Sequence, residues 1–474
     1  MHGTMEHGER RRPWSILLLL AVAQFMVILD VTVVNVALPS IGSDLGFAPG
    51  DLQWVVTTYV LFTGGLLLLG GRAADMLGRR RIFLAGLALF TAASFASGMA
   101  ASPAMLIASR AAQGLGAAML SPAALSIVSA TYTGAQRTKA LSLWGAIAAG
   151  GSVVGMVIGG MLTTWLSWQW VFFINLPIGI AAFPLALRLV PARDGTGGMR
   201  QLDLAGAVSL VAGLVALVYA IEGTSTHGWG SVRTLAVLAG SGVLLATFFS
   251  VEGKARRPLV PPATWRMRTL ISGVAMMFGA TGFMIGTIYL SSLYMQGELG
   301  FTALEAGLAF LPLMITVGVV AQIAGHLLSK LGTRMVMVTG LLLMSAGGGL
   351  LATAPDHASY AADLLPGFIL VGASLGLVFV SVQITAMSDV GERMAGLASG
   401  LFTTGHEIGA AFGVAVFSAV AAGTGGDAVA TLSSGSAYGK GIGVAALLAA
   451  GLAVIAALAV PSIRPPRAAH AHAH

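Results

Sequence analysis

Fourteen stretches of mainly apolar residues, each long enough to cross a bilayer as a helix, run from one end of this chain to the other. They fall near residues 14–38, 52–71, 81–100, 104–131, 140–163, 170–190, 204–222, 233–252, 269–293, 304–328, 334–353, 362–388, 394–421 and 439–460. A spanning helix needs about 20 such residues. Only 9% of the 474 residues are charged and 56% are hydrophobic, against about 25% charged in a soluble chain. A chain of this length cannot hide so much apolar surface from water, so lipid must be part of its solvent. The expected fold class is an all-α membrane protein.

The cations set the threading. An even number of crossings puts both termini on one side. With a cytoplasmic N-terminus, the inner segments hold Arg10–Arg12, Arg72, Arg79–Arg81, Arg137, Lys139, Arg188, Arg193, Arg200, Lys254, Arg256, Arg257, Arg266, Arg268, Lys330, Arg334, Arg393, Arg464 and Arg467, which are 22 of the 25 Lys and Arg. Arg233 and Lys440 fall outside, and Arg110 lies within a run. Shifting the count by one helix would scatter these charges over both faces. The positive-inside rule therefore predicts a multi-pass protein of the inner (plasma) membrane with both termini cytoplasmic. The net charge of +7 then reads as topology with weak attraction to anionic lipid, and nucleic acid is not an expected partner.

Other classes fall away. Arg10–Arg12 ahead of an apolar run resembles a signal peptide, but the run continues to about Leu38 with no small-residue cleavage site and polar mature sequence after it, so a first spanning helix is expected. The absence of cysteine removes disulfides, thiol catalysis and thiolate metal sites. No cofactor, metal or enzymatic activity is expected. No Walker-type phosphate loop is present, which argues against ATP-driven pumping. The alternating tail His470, His472, His474 is assigned no role.

One short charged turn occurs twice. Gly71-Arg-Ala-Ala-Asp75-Met-Leu-Gly78-Arg79-Arg80-Arg81 is echoed 254 residues later by Gly325-His-Leu-Leu-Ser329-Lys-Leu-Gly332-Thr-Arg334. Each copy has glycines seven apart and an arginine two residues after the second, between apolar runs. A turn reused at that interval suggests two related halves. The basic, proline-broken segment 254–262 and the glycine-rich, charged segment 191–203 flank two helices without an evident counterpart. The expected organisation is a six-helix unit at 1–190, loops with an inserted helix pair at 191–268, and a second six-helix unit with a short tail at 269–474.

These residues resemble the major facilitator superfamily, in particular its fourteen-helix drug:proton antiporters. The first turn is similar to that superfamily's loop between helices 2 and 3. Leu29-Asp30-Val-Thr32-Val-Val-Asn35-Val-Ala-Leu-Pro39 resembles the first-helix motif of the branch, and Arg110-Ala-Ala-Gln113-Gly114-Leu-Gly116-Ala-Ala its helix-4 motif. Trp168-Gln-Trp170-Val-Phe-Phe-Ile-Asn175-Leu-Pro177-Ile-Gly179 matches the same branch. Four matches in the right order cover nearly the whole chain. There are departures. The antiporter motif of helix 5 reads Gly155-Met156-Val-Ile-Gly159-Gly160 without its proline, Ser329 replaces an acid in the second turn, and His406-Glu407 stands where Arg-Gln is common.

The resemblance implies two bundles rocking around a central site, and the residues nominate who works there. An ionisable group within a bilayer is costly and marks a functional candidate. Asp30 lies among Leu29, Val31 and Val33; a carboxyl there can load and release a proton, or it can simply pair with Arg110 or Thr32. Arg110 keeps its charge and needs a partner, either setting the protonation of the helix-1 acid or clamping helices. Glu407 is a second proton carrier or a counter-charge for a cation. His406, about 100° round the helix from it, shares the proton-coupling set or only packs. Gly71, Asp75, Gly78 and Arg79 form a gating loop, with Asp75 expected near Arg393, while Arg80 and Arg81 anchor the loop. Gly151, Gly155, Gly159 and Gly160 allow close helix packing, and 398–413 repeats the pattern. Asn35, Gln113, Tyr289 and Gln383 are nominated for the substrate cavity.

The expected function is proton-coupled efflux, or antiport, of small hydrophobic or cationic drugs and antibiotics by alternating access. The partners are that substrate, protons and the lipid bilayer, with the chain working as a monomer. The alternatives are a dedicated exporter of one endogenous metabolite, then an uptake carrier or a membrane sensor.

Overall fold

The computed structural model describes residues 5–47, 51–132, 134–191, 203–254, 260–390, 394–422 and 434–460. Among them every regular element is helical. The first set is α1 (Met5–Leu45), α2 (Trp54–Leu77), α3 (Arg79–Gly98), α4 (Pro103–Thr131), α5 (Gly134–Trp165), α6 (Trp170–Phe173) and α7 (Asn175–Leu189). A hairpin of α8 (Leu204–His227) and α9 (Val232–Lys254) follows. The second set is α10 (Arg268–Gly297), α11 (Ala303–Ala309), α12 (Leu311–Leu331), α13 (Thr333–Ala352), α14 (Leu365–Met387), α15 (Ala395–Ala422) and α16 (Gly435–Ala459). Thirteen spans among the described residues are long and apolar enough to cross a membrane. The fourteenth expected crossing is α5, whose described apolar stretch is Val154–Trp165.

Two helices expected to be continuous are broken, each by a proline. A helical residue donates its N–H to the carbonyl four before it, and proline has none to give. Pro177 thus leaves the carbonyl of Phe173 unserved, and α6 stops at Phe173 with α7 starting at Asn175. Pro312 likewise has no N–H for Leu308, whose carbonyl takes the Phe310 N–H instead, and the chain steps from α11 to α12 at Phe310. The first helix is longer than expected, from Met5 to Leu45.

The two charged turns share one geometry. Gly78 and Gly332 end α2 and α12 at φ 101° and 80°, a conformation that favours glycine. The arginine two residues on then does the same work in each half. Arg80 Nη2 donates to the Leu187 carbonyl at 2.5 Å, and Arg334 Nε to the Val460 carbonyl at 2.6 Å. Leu187 lies in the last turn of α7 and Val460 is the residue that caps α16, at helix ends where carbonyls lack intrahelical partners and cations are favoured. Gly71 has room for a side chain, whereas a Cβ on its neighbour Gly70 would lie 2.0 Å from the Ala118 carbonyl oxygen of α4. The close approach at this turn therefore belongs to Gly70.

The same 254-residue interval relates the glycine seams. Gly151, Gly155 and Gly159 of α5 press on Ile28, Thr32 and Val33 of α1. Gly405, Gly409 and Gly413 of α15 press on Val274, Phe278 and Gly282 of α10. Each half is thus zipped through its first and fifth helices. Gly160 does not belong to that zipper, because it meets Ala303 and Leu304 of α11 in the other half.

Among the described residues the halves touch mainly along three seams, α2 on α15, α1 on α10 and α5 on α11, with smaller contacts of α1 on α11 and α5 on α12. The α1–α10 and α5–α11 seams lie at the end opposite the charged turns, and the former is held by a latch that a proline creates. Pro39 cannot serve the Asn35 carbonyl of its own helix. Ser292 Oγ of α10 donates to that carbonyl at 3.1 Å, and Gln296 Nε2 donates to the Val36 carbonyl at 3.0 Å and to Ser292 Oγ at 3.0 Å. These bonds hold this end of the molecule shut. Replacing both residues (Ser292→Ala with Gln296→Ala) is expected to shift the shut–open equilibrium toward open by roughly five- to a hundredfold, at about 0.5–1.5 kcal/mol per bond. Since the chain has no cysteine, one introduced cysteine and its labelling rate by an impermeant thiol reagent check this; an unchanged rate rules the latch out.

The inserted pair is not peripheral in equal measure. Helix α8 packs on α9 and also on α2 and α15, bridging the seam between the halves, with Val211 against Gly65 of α2. The span of α9 is only 17% buried, so it faces the lipid.

Candidate functional site

Helices α4 and α7 reach Asp30, and α2, α3 and α6 close the cluster around it. The residue sits on α1 and is 0% exposed. Its Oδ2 takes a hydrogen bond from Arg110 Nη1 at 2.5 Å, and its Oδ1 takes one from Gln113 Nε2 at 2.7 Å and one from Asn175 Nδ2 at 2.9 Å. The carboxylate accepts from all three.

Arg110 and Gln113 share a face because they are three apart on α4, and Arg110 Nη1 also donates to Gln113 Oε1 at 2.8 Å. Arg110 Nε donates to the Val55 carbonyl of α2 at 2.9 Å. The guanidinium carbon stands 4.2 Å from the centre of the Tyr59 ring and 5.7 Å from that of Phe172. Ser94 of α3 ties the far side together. Its hydroxyl donates to the Phe172 carbonyl at 2.9 Å and accepts from Asn175 Nδ2 at 2.9 Å and Gln113 Nε2 at 3.2 Å. The α6–α7 break matters here, since it sets Asn175 at a helix start facing Asp30. A buried ion pair is tolerated only when its remaining lone pairs and protons are satisfied; here three bonds reach the carboxylate and Arg110 donates through Nε and Nη1, while Asn175 Oδ1 and Tyr59 OH are buried without a hydrogen-bond partner among the described residues. The pair, Gln113, Asn175, Ser94 and Tyr59 are all almost wholly buried, so the site is a closed charge cluster inside the first bundle.

Glu407 occupies a different place. It lies on the α2–α15 seam, where a Cβ on Gly64 would fall 2.5 Å from the Glu407 Cβ. It is partly exposed, and no described residue forms a hydrogen bond or ion pair with it. Tyr59, five residues before Gly64, lies within electrostatic reach of Asp30, Arg110 and Glu407. His406 points the other way round the helix, with Nδ1 2.9 Å from Thr281 Oγ1 and its ring edge-on to Phe379 at 6.4 Å. Its described partners all belong to the second bundle.

The four residues nominated for the cavity are dispersed. Gln113 is in the Asp30 network. Asn35 is buried, its Nδ2 donating to the Val31 carbonyl at 2.8 Å and its own carbonyl taken by the latch. Tyr289 is buried at 1% exposure. Gln383 alone is exposed, one turn along α14 from Phe379. Asp75 and Arg79 pair with each other at 3.4 Å across an exposed turn, and Arg393 lies outside the described residues. Among the described residues no group of His, Asp and Glu could hold a metal ion.

Sequence reasoning missed Asn175, Ser94 and Tyr59. Asn175 lay inside a quoted motif without a role. Ser94 and Tyr59 carried only the weak signal of polar groups within apolar helices.

Two helical bundles meeting along seams, with a charge cluster buried in one of them, are the architecture of a multi-pass membrane protein. The family model for the Major Facilitator Superfamily matches residues 20–414, and the chain belongs to that superfamily. Its relatives include the cephamycin export protein CmcT of Amycolatopsis lactamdurans, 39% identical over 84% of this chain and 83% of the relative. The puromycin resistance protein pur8 of Streptomyces alboniger is also 39% identical, over 88% and 83%. The multidrug transporter protein MdtP of Bacillus subtilis is 32% identical, over 88% and 76%. The solved nucleoside transporter NupG shares the fold with a TM-score of 0.62 at 12% identity, covering 94% of this chain and 98% of its own.

Proposed function

We propose that this protein is a proton-coupled exporter of antibiotic-like hydrophobic or cationic molecules, working as a monomer in the cell membrane with both termini cytoplasmic. The observation that carries the reading is the Asp30–Arg110 pair buried in the first bundle. A carboxylate is costly inside a membrane protein, and one that alternates between charged and neutral forms links proton movement to helix packing. With the charged turns inside, the end held by the Ser292 and Gln296 bonds is the outer one. Substrate enters the seam beside Glu407, whose charge suits a cationic group, and proton arrival at Asp30 resets the bundles. Alternation between two such states needs each ligand to prefer one of them.

Relatives named for export or resistance support the direction of transport. A second reading, a dedicated exporter of one compound, draws on the fact that two relatives at 39% identity are named for single antibiotics, while the named multidrug relative stands at 32%.

Proteoliposomes with an imposed pH gradient test the proposal. Wild-type protein is expected to move a cationic dye or an antibiotic only while the gradient lasts. Asp30→Asn is expected to lose gradient-driven transport by at least about a hundredfold, in keeping with the loss of an essential proton-transfer group, while eluting as a folded protein of lower Tm, because Arg110 loses its counter-ion but keeps Val55, Gln113 and the Tyr59 ring. Undiminished, gradient-dependent transport by Asp30→Asn would falsify the coupling role. A panel of unrelated toxic compounds separates broad from dedicated export.

A further inference from the structure

We propose that Tyr59 is a positioning residue for proton coupling, whose ring face holds the Arg110 guanidinium while Asp30 is neutral. The inference rests on the proton-coupled reading above.

Arg110 needs other partners when Asp30 loses its charge. Arginine does not give up its proton, and it is 1% exposed here. A buried cation whose counter-ion is removed is strongly destabilised. A proton can therefore load onto Asp30 only if other groups already hold the guanidinium. The structure supplies neutral ones on several sides. Val55 offers a carbonyl to Nε at 2.9 Å, Gln113 offers Oε1 to Nη1 at 2.8 Å, and Tyr59 offers its ring at 4.2 Å. Phe172 stands further off at 5.7 Å. A ring attracts a cation through its quadrupole and more strongly when both are dry. Tyr59 is 1% exposed, and its distance to Arg110 is the shorter of the two ring contacts.

Position adds a second role. Tyr59 rides on α2, the helix that meets α15 at Gly64 and Glu407. A shift of α2 along that seam carries the ring with it, and so alters what holds Arg110. The charged and titratable groups around the cluster are few. They are Asp30 from α1, Tyr59 from α2, Arg110 from α4 and, across the seam, Glu407 from α15. From α3 and from α6–α7 come Ser94, Phe172 and Asn175, none of which titrates in the working range.

The ring stabilises Arg110 most when Asp30 is neutral, so its loss penalises the protonated state. In proteoliposomes, Tyr59→Leu is expected to move the half-maximal pH of transport toward acid by about 0.4–1.5 units, from the strength of such contacts. Tyr59→Phe keeps the ring and is expected to stay near wild type. A thermal cycle in detergent reads the same contact without transport. Tyr59→Leu should lower Tm clearly more in the Asp30→Asn background than in wild type, because that background mimics the neutral acid. Equal Tm losses in the two backgrounds, or a Tyr59→Phe profile displaced as far as that of Tyr59→Leu, would overturn the inference. If Tyr59→Leu does not yield folded protein, Tyr59→Met takes its place in both arms. Should Asp30→Asn transport normally, the proton-coupled reading falls by itself, and the Tm cycle still decides the Arg110–Tyr59 contact.

Discussion

Arg110→Leu is expected to yield little folded protein, and Asp30→Asn introduced alongside it is expected to recover most of the loss. Removing one partner of a buried ion pair costs about 3–5 kcal/mol, because the other charge remains buried without it. Domain stabilities are themselves only about 5–15 kcal/mol. In Arg110→Leu the Asp30 carboxylate keeps its bonds from Gln113 and Asn175, but no cation. The same change removes the donor to Gln113 Oε1 and the second donor to the Val55 carbonyl, which stays in its helix. In the double variant the neutral amide introduced at position 30 needs no counter-ion. The measurement is the monodisperse fraction on size exclusion, together with Tm. Arg110→Lys is expected to fall between, since an ammonium keeps the charge but cannot reach two acceptors in one plane or lie flat on Tyr59. A double variant as poor as Arg110→Leu would mean that Arg110 acts through packing alone. That outcome would also remove the reason to regard Asp30 as a charge held in readiness.

Much of this arrangement was legible in the sequence, for reasons that differ residue by residue. The spans could be read because lipid demands long apolar runs, and the cations alternate from loop to loop. The pairing of Asp30 with Arg110 was one of two open readings. Each residue is the lone charge on its helix within the bilayer, so either would need the other. What could not be read was the depth of the cluster. Asn175 reaches Asp30 because Pro177 breaks the sixth crossing, and Ser94 and Tyr59 gain their meaning from where α2 and α3 pack. Tertiary packing fixes those positions, and no local pattern announces them. The second turn was legible as an echo of the first. Its shared task, an arginine holding the end of each half's final helix, needed the carbonyls of Leu187 and Val460 to be placed. Gly160 was grouped with Gly151, Gly155 and Gly159 through the helix-5 motif that it closes, and the structure parts it from them.

That parting predicts opposite outcomes for neighbouring substitutions. A Cβ at Gly159 would lie 2.9 Å from the backbone of Val33 on α1, within one bundle. A Cβ at Gly160 would lie 2.6 Å from the backbone of Leu304 on α11, across the two bundles. Gly307 returns the contact, with 2.5 Å to the Met156 carbonyl oxygen, and Leu304 N donates to Thr164 Oγ1 at 3.1 Å. Backbone cannot rotate aside as a side chain can, so each substitution must push helices apart, at about 1–3 kcal/mol. Within a bundle that cost falls on the fold, and Gly159→Val is expected to lower Tm and the yield of folded protein. Between bundles the molecule can escape the clash by separating at that end. Gly160→Val is therefore expected to keep its Tm and shift the population toward the open form by about five- to a hundredfold, taking roughly 1.4 kcal/mol per factor of ten. A cysteine at position 164 (Thr164→Cys), in a chain that has none of its own, reports the change. An impermeant thiol reagent added opposite the charged turns should label it correspondingly faster in Gly160→Val, and transport should slow as the shut state is lost. If Gly160→Val instead loses as much stability as Gly159→Val with labelling unchanged, α5 and α11 form a fixed joint rather than a gate.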